Sequence, residues 1–360
     1  MTGTAKNTVL VTGGAGFVGS NLAHRLAGRG HRVRVFDTLG RAGVERNLEW
    51  LCGTHGDRIE PVIGDVRDAA ALAKAARGID AAYHLAAQVA VTTSMADPRD
   101  DLEVNVTGTF NLLEAVRGAN PAAPVIFAST NKVYGDLANI PVYVGGNGYT
   151  PCDANIAHCG ISEDQPLAFH TPYGCSKGAA DQYVLDYGRS FGMRTAVLRM
   201  SCIYGERQMG TEDQGWVAHF LIRALAGETI TLFGDGEQVR DVCDVRDTCD
   251  AYLAMLDRID AISGRAFNWG GGAANAISLL TLIEEIAQIT GRYPMVEFDR
   301  TRPGDQRWFV ADTRGVDRAL GLQPRISWKE GVRDLAQWLQ HSGHAATPQL
   351  AVAPAARATA

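Results

Sequence analysis

The sequence predicts an α/β protein: a doubly wound parallel sheet followed by a smaller α+β lobe toward the C-terminus. Three observations carry that expectation. As far as Arg199, short apolar runs rich in Val, Ile and Ala alternate with longer stretches of helical period, the pattern of repeated βα units. The first of these runs, Thr8 to Thr12, opens directly into a glycine-rich turn and then a helix. Beyond Arg199 the alternation fades, and a turn at Gly234-Asp235-Gly236 and an amphipathic helix from Leu279 to Ile289 mark a half built on another plan.

The glycine-rich turn is Gly13-Gly14-Ala15-Gly16-Phe17-Val18-Gly19, a Gly-x-x-Gly-x-x-Gly run set between a strand and a helix whose Val18, Leu22 and Leu26 share one face. Glycines placed there permit a tight turn, close approach of the backbone to a pyrophosphate, and close packing of helix on sheet. Gly13, Gly16, Phe17, Val18 and Gly19 are therefore candidate cofactor contacts, although a glycine-rich turn without a ligand reads much the same. The second strand, Arg32 to Asp37, tips the balance. It ends in an acid about twenty residues past the glycines, where a carboxylate accepts hydrogen bonds from the adenosine ribose of a dinucleotide. An acid there also repels a 2′-phosphate, so the expectation is a Rossmann fold binding NAD in preference to NADP.

Further strands are expected from Ile59 to Gly64, with Asp65 and Val66 following, and over 81–87, 125–129 and 195–199. Ligands of such sheets bind beyond the carboxyl ends of the strands. Asp65, Leu85, Ala86, Ala87, Ser129 and Thr130 all stand at such ends and together outline one cleft.

Tyr173-Gly174-Cys175-Ser176-Lys177 places a phenol and an ammonium four residues apart, on one face of a helix. A phenol titrates near pH ~10 and is a poor base at neutral pH unless a cation stabilises its phenolate. Lys177 and a positively charged nicotinamide ring are the cations expected to do so. With the Thr130 hydroxyl, these groups suit removal of a proton from a sugar alcohol while its hydride leaves to a bound dinucleotide. The spacing alone is common on helix surfaces; its place after a dinucleotide-binding half gives it meaning.

Composition narrows the alternatives. The 360 residues carry a formal net charge of −6 without long runs of one sign, which argues against nucleic-acid and membrane partners. The seven cysteines form no Cys-x-x-Cys pair and no His cluster of zinc spacing accompanies them, so no metal site is expected and reduced thiols in a cytoplasmic protein fit best. No leader or spanning segment is expected. The stretch from Asp136 to Thr171, rich in Gly, Asn and Pro, reads as a long insertion near the site rather than core. The division expected is an NAD-binding domain over 1–199, with 241–266 returning to it, a substrate lobe over 200–240 and 267–342, and a disordered tail over 343–360.

Several blocks together give the chain a family likeness: Thr12-Gly13-Gly14-Ala15-Gly16-Phe17, His84-Leu85-Ala86-Ala87-Gln88, Ser129-Thr130-Asn131-Lys132-Val133-Tyr134-Gly135, Pro172-Tyr173-Gly174-Cys175-Ser176-Lys177, Asp213-Gln214-Gly215-Trp216 and Asp305-Gln306-Arg307. The chain resembles the extended short-chain dehydrogenase/reductases that act on nucleotide sugars, and within them the branch that inverts carbon 2 of a CDP-linked deoxyhexose such as CDP-paratose. The resemblance implies Tyr173 as base, Lys177 as support for its phenolate and for the nicotinamide ribose, and Thr130 as partner of the reacting hydroxyl. It also implies Ser129 at the cofactor, Asn131, Cys202, Gln208 and Trp216 at the sugar or base, and Arg240 and Arg302 at the diphosphate. In related dehydratases the threonine is followed by an Asp-Glu pair that removes a hydroxyl; here Asn131 and Lys132 follow it, and an amide is no acid catalyst. Two other readings stand beside this one: a UDP-sugar 4-epimerase using the same Tyr, Lys and Thr, and a noncatalytic NAD-sensing regulator. A homodimer or homotetramer is expected, because family members often pair helices such as Asp101 to Arg117 and Pro172 to Phe191.

Overall fold

The structure, a computed structural model, describes residues 7–322 and 325–342. Strands β1 (Thr8–Thr12), β2 (Arg32–Asp37), β3 (Ile59–Ile63), β4 (Ala81–His84) and β5 (Val125–Thr130) follow one another with helices between. A hairpin of β6 (Val142–Gly145) and β7 (Gly148–Pro151) precedes β8 (Thr195–Met200) and β9 (Cys202–Tyr204). Then come β10 (Ile230–Phe233), β11 (Val239–Asp244), β12 (Arg265–Trp269), β13 (Ala276–Ser278), β14 (Val296–Asp299) and β15 (Trp308–Phe309).

Seven of these strands make one sheet in the order β12-β8-β5-β4-β1-β2-β3, parallel at every pairing. This is the doubly wound Rossmann arrangement that the sequence predicts. Side chains alternate across the sheet, so β1 sends Val9 and Val11 into one core and Leu10 into the other. The first core takes Leu22 and Leu26 from the helix Phe17–Gly28 and Leu253 and Met255 from the helix Val245–Asp257. The second takes Leu112, Leu113 and Val116 from the helix Gly108–Ala119 and Val184 from the helix Thr171–Phe191. Strands covered on both faces need no polar side, which is why these runs read as continuously apolar. The strand order reverses between β1 and β4, and the carboxyl ends of those two strands open the cleft that such a reversal creates.

The second half builds around β11, which pairs in parallel with β9 and β15 and antiparallel with β13. Helices Trp216–Ala226, Leu279–Thr290 and Trp328–His341 enclose a separate core with Leu221, Leu282, Ile286, Val332 and Leu335. The chain returns to the large sheet as β12 beside β8.

Two expectations need correction. β4 ends at His84, not at Ala87, because its partner β1 ends at Thr12 and turns away into the glycines. Leu85, Ala86 and Ala87 therefore belong to a loop. The stretch after Asp136 is not a bare insertion either: Leu137, Ile140 and Ile161 join Val133, Tyr134, Val239, Trp308 and Phe309 in a small core of their own. The partners lie far along the chain, so no local periodicity announces them. The expected disordered tail, 343–360, lies outside the described residues. Among the described residues, no helix is long and apolar enough to cross a membrane.

Candidate active site

The glycine turn is built from its contacts. Gly13 has φ +68, and a Cβ there would stand 2.6 Å from the Ala86 nitrogen; only glycine lets the turn settle on the loop after β4. Gly19, in the first turn of Phe17–Gly28, has no room for a Cβ beside the Gly13 carbonyl. Gly16 precedes that helix, and no side chain caps its first turn, which leaves the end of the helix open to an anion. Phe17 forms the first turn, and its carbonyl accepts from Asn21 Nδ2 at 2.9 Å, while Val18 packs against the first core.

Asp37 closes the same pocket from β2. Its Oδ2 accepts from Ala15 N at 3.0 Å and its Oδ1 from Leu39 N at 2.9 Å, so the carboxylate pins the glycine turn and keeps lone pairs for two further donors. These residues fit an NAD: an uncapped helix start for the pyrophosphate, a glycine cradle, and an acid held by backbone donors where the ribose would lie. Asp65 and Val66 are placed less directly. Asp65 is tied to Arg67, which holds its carboxyl below the ordinary range. Val66 is buried against Gly108.

Thr130 ends β5 and Tyr173 lies in the first turn of helix Thr171–Phe191. The structure brings the two side chains together, and the Thr130 hydroxyl donates to Asn131 Oδ1 at 3.3 Å. Burial pushes Tyr173 up to about 12, against the pull of Thr130, and Asp101 adds to the rise. Thr171, just before, has φ +65, a strained conformation for a β-branched residue; its Oγ1 accepts from Gly174 N at 3.3 Å.

Lys177 is buried too. Its ammonium donates to the Ala128 carbonyl at 2.6 Å and lies 4.2 Å from the centre of the Phe127 ring. Burial lowers its titration to about 7, opposed by Asp181 and Asp101. Ser129 donates to Asp181 Oδ2 at 2.8 Å. Its hydroxyl thus serves the scaffold. Asp181 in turn is gripped through both oxygens by Arg199, each at 2.9 Å.

Across the cleft, Asn131 Nδ2 donates to Gln306 Oε1 at 3.2 Å, and Lys132 Nζ donates to the Gly304 carbonyl at 3.0 Å. Both contacts join the end of β5 to the second half. Arg240 Nη2 meets Asp305 at 2.6 Å, and Lys132 lies 3.7 Å from the same carboxylate. Burial pushes Asp305 up, but Arg240 and Lys132 outweigh it and hold its carboxyl low. Arg302 pairs with Glu212 and Asp213 and lies over the Phe233 ring. Cys202 takes a hydrogen bond from Trp216 Nε1 at 3.3 Å, and burial raises its thiol. Gln208 is buried with Nε2 on the Ile203 carbonyl and Oε1 without a partner.

Sequence reasoning passed over Asn105. It sits in a π-helical turn, Glu103–Thr107, a distortion that often marks functional sites. Its amide nitrogen lies within reach of Gln88 O at 3.1 Å, Ser176 Oγ at 3.0 Å and Asp101 Oδ1 at 3.2 Å, three acceptors that share its two protons, and its oxygen accepts from Gln88 N at 2.9 Å. It thereby ties the loop after β4 to the helix of Tyr173.

Comparison with known proteins agrees with this geometry. Residues 9–270 match the model of the NAD dependent epimerase/dehydratase family. The chain belongs to that family. A CDP-paratose 2-epimerase from Salmonella typhi is 43% identical over 340 residues, covering 92% of this chain and 98% of its own length. A UDP-glucose 4-epimerase from Mycolicibacterium smegmatis is 33% identical, covering 92% and 98%. Among solved structures, the Thermus thermophilus UDP-glucose 4-epimerase in complex with NAD superposes with a TM-score of 0.78 at 31% identity, over 92% of this chain and 99% of that one. A double mutant of the dTDP-glucose 4,6-dehydratase DesIV from Streptomyces venezuelae, with NAD bound, gives 0.80 at 28% identity, over 93% and 98%.

Proposed function

We propose that the protein is an NAD-dependent epimerase that inverts carbon 2 of a nucleotide-linked deoxyhexose, with a CDP-sugar such as CDP-paratose as substrate, through a transient 2-keto sugar. The observation that carries the proposal is the buried Thr130–Tyr173 pair at the carboxyl end of β5, followed by Asn131 and Lys132. A neighbouring acid pair would serve elimination of a hydroxyl; an amide engaged with Gln306 does not. The likeness to the Salmonella typhi protein over nearly the whole chain supports carbon 2 and a CDP-sugar.

When bound, NAD supplies an acceptor for the hydride of the alcohol carbon and a donor for its return. Gly13, Gly16, Phe17, Gly19 and Asp37 would hold its adenosine half, and Ser129, Tyr173 and Lys177 line the way to the other. Thr130 holds the sugar hydroxyl and Tyr173 takes its proton. A phenol pushed up to about 12 by burial needs a nearby cation to do so at neutral pH, and Lys177 supplies charge from the next helical turn. Arg240 and Arg302 suit the diphosphate, since a guanidinium donates two hydrogen bonds in one plane. Once the planar keto carbon has turned its opposite face, Tyr173 gives the proton back to the same oxygen. The sugar leaves inverted with no net oxidation.

A UDP-sugar 4-epimerase is the second reading, supported by the Mycolicibacterium smegmatis relative. Incubation with CDP-, UDP- and GDP-hexoses without added cofactor, read by NMR, separates them: inversion at carbon 2 is expected and inversion at carbon 4 would replace the reading. Tyr173→Phe should abolish turnover with NAD still bound; undiminished epimerisation would refute the assignment, and a regulator would show no turnover at all. We include in the proposal a cytoplasmic location and a homodimer or homotetramer. Leu102, Phe110, Tyr183 and Phe191 are exposed on the helices flanking Asn105 and Tyr173, a face suited to a second copy.

A further inference from the structure

Among buried titratable groups that the proposed chemistry does not use, Asp101 stands on a helix packed against the one that carries Tyr173 and Lys177, and its charge acts on both. It lies in Pro98–Leu102, immediately before the π-helical turn, and is 0% exposed. Its Oδ1 accepts from Asn105 Nδ2 at 3.2 Å, and its Oδ2 is buried with no hydrogen-bond partner. Asn105 also holds Ser176 Oγ, which donates to the Tyr173 carbonyl at 3.2 Å. The chain of contacts runs from Asp101 to the first turn of the helix that carries both Tyr173 and Lys177. A buried carboxylate left half satisfied is costly unless a nearby charge compensates it.

The charges around Lys177 identify that compensation. On its own helix, Asp181 is already balanced by Arg199 from β8. From β4, His84 is neutral, with burial driving its titration to about 3. Asp100, next to Asp101, pairs with Arg67. Tyr173 carries a proton in the resting state. Asp101 is thus the carboxyl acting on Lys177 that no other cation pairs among the described residues; burial raises its own titration, and Ser176 and Lys177 pull it back toward the charged form.

We propose that Asp101 is a positioning residue for the redox pair: a buried carboxylate that balances the Lys177 ammonium and, through Asn105 and Ser176, seats the turn that carries Tyr173. The inference rests on the reading of Tyr173 and Lys177 given above. A negative charge favours the protonated form of every neighbour. Its removal lowers the titrations of Lys177 and Tyr173 together, so the whole bell of kcat/KM against pH moves toward acid, whereas loss of mere packing lowers the bell in place.

The test uses the NAD-loaded protein as wild type, Asp101→Asn and Asp101→Glu, with kcat/KM for the epimerised sugar nucleotide measured from pH 5.5 to 10 and bound NAD quantified after release. Asp101→Asn should shift both limbs by about one pH unit toward acid, or about tenfold in rate at a fixed pH on the basic limb, with NAD content unchanged. Asp101→Glu, which keeps the charge, should leave the limbs where they are. Asp101→Ser gives the same contrast if the asparagine variant does not fold. A lowered bell at the wild-type position overturns the inference, as does failure of both uncharged variants to fold while the glutamate variant folds, which would mark a purely structural acid. Tyr173→Phe in parallel keeps the two claims apart. If it turns over, the reading of the site falls; if it is inactive with NAD bound and the bell of Asp101→Asn is unmoved, only the role of Asp101 falls.

Discussion

His84 offers a measurable link between the floor of the cleft and the stability of the protein. It ends β4 fully buried, with Nδ1 2.6 Å from Thr12 Oγ1 and Nε2 3.0 Å from Thr109 Oγ1. Thr109 spends its own proton on the Asn105 carbonyl at 2.6 Å, so Nε2 donates to Thr109 and Nδ1 accepts from Thr12, the neutral tautomer. Burial, helped by the Lys177 ammonium, takes its titration from 6.5 down to about 3. The unfolded chain binds a proton here below about pH 6.5 and the folded chain does not until about pH 3, so stability falls as pH drops through that window. At pH 5 the gap is about 1.5 units below the unfolded value, and at about 1.4 kcal/mol per unit the loss is about 2 kcal/mol. His84→Gln keeps a donor and an acceptor for the two threonines and removes the titration. In urea unfolding at constant protein concentration from pH 7.5 to pH 5, the wild type should lose about 2 kcal/mol more than the variant, and the gap should open only below about pH 6.5. Parallel stability curves would refute the neutral buried imidazole.

Three further outcomes are expected. Arg199→Met should destabilise the fold by about 3–5 kcal/mol, because it strands Asp181 without its partner, and adding Asp181→Leu should recover much of that loss in the same denaturation assay. Gly13→Ala forces a left-handed φ and a Cβ onto the Ala86 backbone; it should cost about 1–3 kcal/mol and lower the NAD released per chain. Arg240→Gln removes a charged donor from the expected diphosphate site and should raise KM for the sugar nucleotide about 10- to 100-fold with kcat little changed. It also frees Asp305 from its partner, so Asp305→Asn in the same background should restore part of the affinity.

The elements legible in the chain were those whose causes are local. β1, the glycine turn and the helix Phe17–Gly28 lie within one stretch, and the Tyr173 and Lys177 spacing is a property of any helix. The loop after β4 was misread as strand because apolar residues continue past His84, while the strand must stop where β1 stops. The hairpin after Asp136 was missed because its apolar residues pack on Val239, Trp308 and Phe309, far along the chain.

Sequence alone was enough to predict the parallel sheet, the glycine turn with the acid that closes it, and the phenol and ammonium of one helix, because each is announced by a local pattern within its own strand, turn or helix. It could not specify which charges meet. That Asp305 sits between Arg240 and Lys132, that Arg199 occupies Asp181, and that Asp101 is left facing Lys177 are consequences of packing one element on another, since an ion pair depends on distance in space and burial, neither of which the order of residues encodes.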